Sequence, residues 1–500
     1  MSTTNALSRR DFLRLAGLVS ASAVVTACAP VYARLGGPAE PAAMASAPAL
    51  DPGAYQALNR LTFGPRLAER QRMAEIGLAG WIEEQLAPEV IDDNPVDWRL
   101  HRFETLGMSS DDLATLSNRL FDDLDTTTVP NELRQATLVR QVYSRRQLYE
   151  LMVDFWTDHF NISAEKGDCF FLKTIDDREV VRPHALGRFR DLLWASAHSP
   201  AMLVYLDNQA NGQDAPNENY AREVMELHTL GVNGGYSQRD VMELARALTG
   251  WTVKPNFWRG QFKFDVDQHD QGVKEVLGLR LEPAGQAEAE QVLELLAAHP
   301  ATARYIATKL ARRFLADEPP AEIVERAATA FLKTEGDLKA VLRVLLLDGL
   351  AASPPVAAPK FKRPVHYLVS ALRALNAETD GGPMLQDYLL RMGQPYFSWP
   401  TPDGYPDRTA PWQGNLMPRW QFALAVARNE LEGTTVELPG AGDSPEALLV
   451  ALGERVLGAR LPLAASSDLL NALRAAGAQA EDLPSILTAG LLSAPAFQWR

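Results

Sequence analysis

From residue 51 onward, apolar side chains recur every third or fourth position, the 3.6-residue period of helices that bury one stripe. The spacing predicts a body that starts near Asp51-Pro52, with helices over 54–61 and 67–86. It continues them over 132–160, 177–185, 189–197, 218–230, 238–249, 287–298, 301–315 and 321–333. Further ones follow over 338–348, 364–375, 418–428, 445–457, 467–475 and 483–492. Two stretches break the pattern. Within 251–281, Phe262-Lys263-Phe264-Asp265-Val266 alternates with period two after Arg259-Gly260, which predicts one small β-hairpin inserted in a helical body. Residues 392–412 are crowded with proline, glycine and aromatics and predict an irregular loop. The expected fold class is therefore mainly α, a multi-helix globular body without repeats of solenoid length.

The first fifty residues behave differently. Ser8-Arg9-Arg10-Asp11-Phe12-Leu13 precedes a short apolar run ending near Ala27, too short for a permanent transmembrane helix. This is the pattern of a twin-arginine export signal, so the translocase of that pathway is an expected partner. Val25-Thr26-Ala27-Cys28 has the form of a lipobox, with Cys28 as the residue to be lipidated. More than one acyl chain would give stable membrane attachment. Cleavage near 27–33 without lipidation would instead release a periplasmic protein. Residues 1–28 are thus read as the signal, the Ala- and Pro-rich 29–50 as a tether, and 51–500 as the folded domain.

Charge and cysteine usage narrow the partners. The chain carries 63 acidic and 49 basic residues, a formal net charge of −14. Loss of Arg9, Arg10, Asp11 and Arg14 with the signal moves it to −16. Such a surface lacks the clustered cations that phosphate backbones need, so no nucleic-acid partner is expected. The only cysteines are Cys28 and Cys169. If Cys28 is lipidated, no intrachain disulfide remains, and Cys169 beside Phe170-Phe171 reads as a small buried hydrophobe.

The best specified chemistry lies in 217–231. Asn217 is a good cap, Glu218 suits the first turn, and Gly231 suits the left-handed position after a helix. Glu218, Arg222 and Glu226 follow at four-residue spacing, with Glu223 on the same arc. On a solvated face this is an ordinary charge ladder. In a cleft, Glu223 and Glu226 could act as an acid and base pair assisted by Arg222. They could also ligate a divalent metal together with the loop residues His269 and Asp270. His159 and His228 fall on apolar arcs and read as buried, hydrogen-bonded core histidines. Ser237 and Asp240 form a capping box for the next helix. In the 392–412 loop, Trp399, Tyr405 and Trp412 could stack on a flat substrate such as a sugar ring, or could plug one end of the core.

His-Glu-x-x-His, Cys-x-x-Cys, Gly-x-Ser-x-Gly and phosphate-binding glycine loops are all missing from the sequence. Three blocks are distinctive: Phe155-Trp156-Thr157-Asp158-His159-Phe160, Asn217 to Gly231 with its Asn-Glu-Asn-Tyr-Ala-Arg-Glu start, and Ala245-Arg246-Ala247-Leu248-Thr249-Gly250-Trp251. With Leu58 to Gly64, His269-Asp270 and Leu492 to Phe497, they resemble the bacterial family called domain of unknown function 1800. That resemblance implies a mainly helical exported protein, often encoded beside a co-exported sulfatase-like partner, and implies no catalytic residues. Two functions remain open: a carboxylate- or metal-dependent hydrolase acting on an envelope polymer or ester, and a non-catalytic binding or assembly protein working with that partner.

Overall fold

Helix starts are set by local capping. In the computed structural model, which describes residues 50–117, 127–255, 260–351, 360–440, 444–475 and 478–500, Asp51 accepts from the Ala54 amide and Pro52 stands in the first turn. The twin-arginine segment, Cys28 and the Ala- and Pro-rich tether lie outside the described residues. Helices α1 (Pro52–Leu61), α2 (Leu67–Gln85), α3 (Asn94–Leu100) and α4 (Ser110–Ser117) come first. The helix expected over 132–160 is two, α5 (Thr128–Tyr143) and α6 (Gln147–His159). Ser144 is extended between them because Asp93 accepts from its hydroxyl and from the Arg145 amide, while Gln147 donates to the Gln141 and Ser144 carbonyls. These side chains give the backbone a better set of bonds than a continuous helix would.

Helix α7 (Cys169–Asp176) continues through a wide turn at Asp177–Val181 to His184, so the segment expected over 177–185 is the second half of a longer helix. Then come α8 (Phe189–Ala197), α9 (Pro200–Tyr205), α10 (Glu218–Glu223) with its own wide turn Val224–Thr229, and α11 (Gln238–Ala247) with the expected Ser237–Asp240 capping box. The 251–281 insertion holds two hairpins rather than one. Strands β1 (Trp251–Val253) and β2 (Phe262–Phe264) pair antiparallel, as do β3 (Lys274–Val276) and β4 (Leu279–Leu281). The chain proceeds through α12 (Gln286–Ala298), α13 (Pro300–Phe314), α14 (Ala321–Lys333), α15 (Leu338–Arg343), α16 (Pro364–Ala374) and α17 (Pro383–Met392). It ends with α18 (Met417–Ala427), α19 (Pro445–Val456), α20 (Leu463–Ala475) and α21 (Leu483–Ser493). A third strand pair, Glu378–Thr379 with Thr434–Thr435, ties the segment after α16 to the one after α18.

The fold is mainly α, with short antiparallel strand pairs as its only sheet among the described residues. A contiguous apolar core runs from Ala57 to Phe497 and includes Trp81, Trp156, Trp251 and Phe331. Helix α6 passes through it. Leu148, Leu151, Met152, Phe155 and Trp156 are buried there, and the Trp156 indole donates to the Ala185 carbonyl. The polar edge of α6 is also enclosed. Asp154 meets Arg313 and Arg363 at 2.6 and 2.5 Å, and Asp158 meets Arg363 at 2.6 Å. The wide turn of α10, through His228, and α13, through Lys309, stand beside the far end of α6, where the 392–412 loop closes over it.

Candidate functional site

The wide turn in α10 reshapes the face that a regular helix would present. The Leu230 amide reaches back five residues to the Met225 carbonyl, and the Thr229 hydroxyl donates to the Val224 carbonyl at 2.6 Å. Such turns insert an extra residue per turn and recur at functional sites. Here Met225 turns fully inward, whereas Glu223 and Glu226 are half-buried. The Glu226 carboxylate accepts from the Tyr236 hydroxyl at 2.9 Å, which fixes its direction. Burial pushes the Glu223 carboxyl above its usual range, and the charges of Glu226 and Asp403 push the same way against Arg222.

Asp403 comes from the irregular loop, whose path is held at several points. Asn161 donates to the carbonyls of Trp399 (3.0 Å) and Thr401 (2.8 Å), and the Tyr205 hydroxyl donates to that of Pro400 (3.0 Å). One Asp403 oxygen accepts from the Trp399 indole at 2.9 Å and the Thr401 hydroxyl at 2.5 Å. Gly404 has φ +71°, and a Cβ there would stand 2.0 Å from the Asp158 carbonyl oxygen. Glycine is required twice over, by conformation and by space. The loop therefore sits directly on the last turn of α6.

Lys309 of α13 lies on the same side. Its Nζ is 2.8 Å from His159 Nδ1, and His159 Nε2 is 3.0 Å from the His228 carbonyl oxygen. The Tyr305 ring lies 5.5 Å from the ammonium. Burial, reinforced by the Lys309 charge, holds both imidazoles neutral, with His159 well below its ordinary value and His228 at about 3. Both are core histidines as expected. The hydrogen-bonding expectation holds for His159; among the described residues neither ring nitrogen of His228 has a hydrogen-bond partner. Glu223, Glu226, Asp403, Tyr305 and Lys309 form one electrostatic neighbourhood, since Asp403 acts on Glu223, Tyr305 and Lys309, and Glu226 acts on Glu223 and Tyr305.

Several expected members stand elsewhere. His269 is fully buried, with Nδ1 on the Thr249 carbonyl at 2.8 Å and Nε2 on Glu288 at 3.0 Å. Asp270 is held by two bonds from Arg246 at 2.7 and 3.0 Å and accepts from the Gly272 amide. Hydrogen bonds from Arg246 hold its carboxyl below the usual range. The expected convergence of His269 and Asp270 with Glu223 and Glu226 on a cation is thus replaced by two structural pairings. Among the described residues, no group of three or more His, Cys, Asp or Glu side chains is arranged to hold a metal ion. Arg222 pairs outward with Glu218 at 2.9 Å and with Gln238, so it reaches Glu223 only through its field. Tyr405 and Trp412 are buried in a small apolar cluster with Phe361, their polar atoms bonded to the Pro395 and Pro406 carbonyls. They plug the fold rather than offer a stacking face, and half-buried Trp399 packs against the same cluster, its ring 4.9 Å from that of Tyr405.

Sequence reasoning passed over Lys309 and gave Asp403 no role. A signal existed for Lys309, because it falls in line with Thr302, Ile306 and Arg313, the buried members of one stripe of α13. Asp403 carried none beyond its crowded loop.

A mainly helical body with two half-buried carboxylates on a widened helical turn, near a clamped aromatic loop, is the class of protein that these features define. The model of the family described as "Protein of unknown function (DUF1800)" matches residues 56–499, and the chain belongs to that family. No curated protein and no solved structure matches it significantly.

Proposed function

We propose that this protein is an exported, carboxylate-dependent hydrolase of the cell envelope, acting on a polymer or ester through Glu223 and Glu226. The observation that carries this reading is the Glu223 carboxyl, held above its usual range by burial and by Glu226 and Asp403. A carboxyl whose pKa is raised beside one that is oriented by Tyr236 has the form of an acid and base pair. In this scheme Glu223 protonates the leaving oxygen and Glu226 takes a proton from water.

The test uses purified full-length protein with p-nitrophenyl acetate and p-nitrophenyl β-glucoside, alongside Glu223→Gln and Glu226→Gln. Each variant is expected to lose about two orders of magnitude in kcat on the accepted probe. The proton on Glu223 is required, so the rate falls as pH rises through its elevated pKa, and Glu223→Gln removes that limb. Wild-type rates no higher than those of the two variants on both probes would overturn the hydrolase reading.

A further inference from the structure

Lys309 is the charged group of this neighbourhood that an acid and base pair leaves unused. The His228 carbonyl can only accept, so His159 carries its hydrogen on Nε2 and turns the lone pair of Nδ1 to the Lys309 ammonium. That bond uses one of three ammonium hydrogens. Among the described residues, no carboxylate stands within ion-pair distance of Lys309; its nearest charged company acts at longer range. Asp158 faces it from α6, Asp403 and Asp407 from the loop, Arg312 from its own helix, and neutral His228 from α10. A cation fixed at its base by a buried imidazole, with donors to spare and the Tyr305 ring alongside, is a preorganised receiver of negative charge.

We propose that Lys309 is the oxyanion-binding group of this site and that the bond broken there is an acyl bond, an ester or amide, rather than a glycosidic one. This rests on the hydrolase reading of Glu223 and Glu226. Water loses a proton to Glu226 and adds to the carbonyl carbon, and the carbonyl π pair moves onto oxygen, where the ammonium meets it. As the pair returns, the bond to the leaving oxygen or nitrogen breaks and Glu223 supplies its proton, leaving a carboxylic acid and an alcohol or amine. Glycoside cleavage develops positive charge at the anomeric carbon, which carboxylates favour and a fixed ammonium opposes. The lysine therefore discriminates between the two chemistries where the carboxylates alone do not.

The experiment compares wild type, Lys309→Met and Lys309→Arg on p-nitrophenyl acetate and p-nitrophenyl β-glucoside, with folding checked by circular dichroism. The ester is expected to be the accepted probe. Lys309→Met should lower kcat about a hundredfold with little change in KM, and Lys309→Arg should recover part of it. The second readout is the titration of the amine after 13C reductive methylation of the intact protein. Burial holds Lys309 down at about 8, as it does Lys360, so its resonance, assigned by its loss in Lys309→Met and Lys309→Arg, should titrate well below those of the exposed lysines. Cleavage of the glucoside alone, or unchanged ester turnover in folded Lys309→Met, overturns this inference and leaves the hydrolase reading standing. A Lys309 resonance titrating with the exposed lysines overturns it too. Turnover of neither probe by wild type overturns the hydrolase reading and this inference with it. Should Lys309→Met fail to fold, the wild-type probe preference, the Lys309→Arg variant and the titration still decide.

Discussion

The thiol of Cys169 has no exposed surface and donates weakly to the Ala201 carbonyl at 3.5 Å. Burial pushes it up to about 12, far from the thiolate that reacts. In a Cys28→Ser background, a chromogenic disulfide reagent should therefore titrate no thiol in native protein and one after unfolding in guanidinium; a fast-reacting native thiol would show that α7 is less tightly packed. The same care for buried polar groups runs through the site. Asp154 and Asp158 are answered by Arg313 and Arg363, so α6 carries two carboxylates through the interior while leaving Lys309 without a contact ion pair. Breaking such a buried pair from one side costs about 3–5 kcal/mol, because the partner is left charged and alone.

At the scale of elements, the 251–281 insertion is anchored by one carboxylate. Glu288, in the first turn of α12, accepts from Lys274 of β3 at 2.6 Å, from His269 at 3.0 Å and from the Ala284 amide at 2.8 Å. Burial alone would raise its carboxyl; the Lys274, Ala284 and His269 hydrogen bonds outweigh burial and hold it below the usual range. A depressed carboxyl contributes stability above its unfolded pKa of about 4.3 that is lost as pH falls through the lower folded value. Glu288→Gln should cost about 3–5 kcal/mol at neutral pH by leaving Lys274 buried without its counter-charge. Urea titrations should show the variant with a shallower acid limb than wild type, and hydrogen exchange should locate the loosening at β3 and β4. Equal stabilities at pH 7 would mean that the Lys274 and Glu288 charges are dispensable to the insertion. The wide turn of α10 acts at the same scale, turning Met225 inward and leaving Glu226 half-buried.

For the whole molecule, the proposed export ties fold to location. A body whose apolar core runs from Ala57 to Phe497 brings together residues far apart in sequence, such as Asp154 with Arg363. The site exists only once folding is complete, which suits a route that carries folded proteins. Replacing Arg9 and Arg10 together by lysine is expected to leave the protein in the cytoplasm, read by cell fractionation, and Cys28→Ala to move it from the membrane to the soluble periplasmic fraction. Unchanged fractionation of the double-lysine variant would remove the export part of the proposal. No described helix is long and apolar enough to cross a membrane.

The sequence by itself determined the helical class and most helix positions. Segments such as 189–197 and 321–333 need only an apolar stripe and adequate ends, and those are local properties. It also marked 217–231 and the 392–412 loop as unusual, and these bring Glu223 and Asp403 into one neighbourhood. Tertiary structure alone decided the rest. Ser144 ends α5 because Asp93, fifty-one residues away, accepts from it. His269 became a strut because Glu288 lies opposite, and Tyr405 and Trp412 became core because Phe361 meets them. Asp403 and Lys309 acquired a setting only when the loop and α13 closed over the end of α6, a convergence of groups far apart in the chain that no periodicity records.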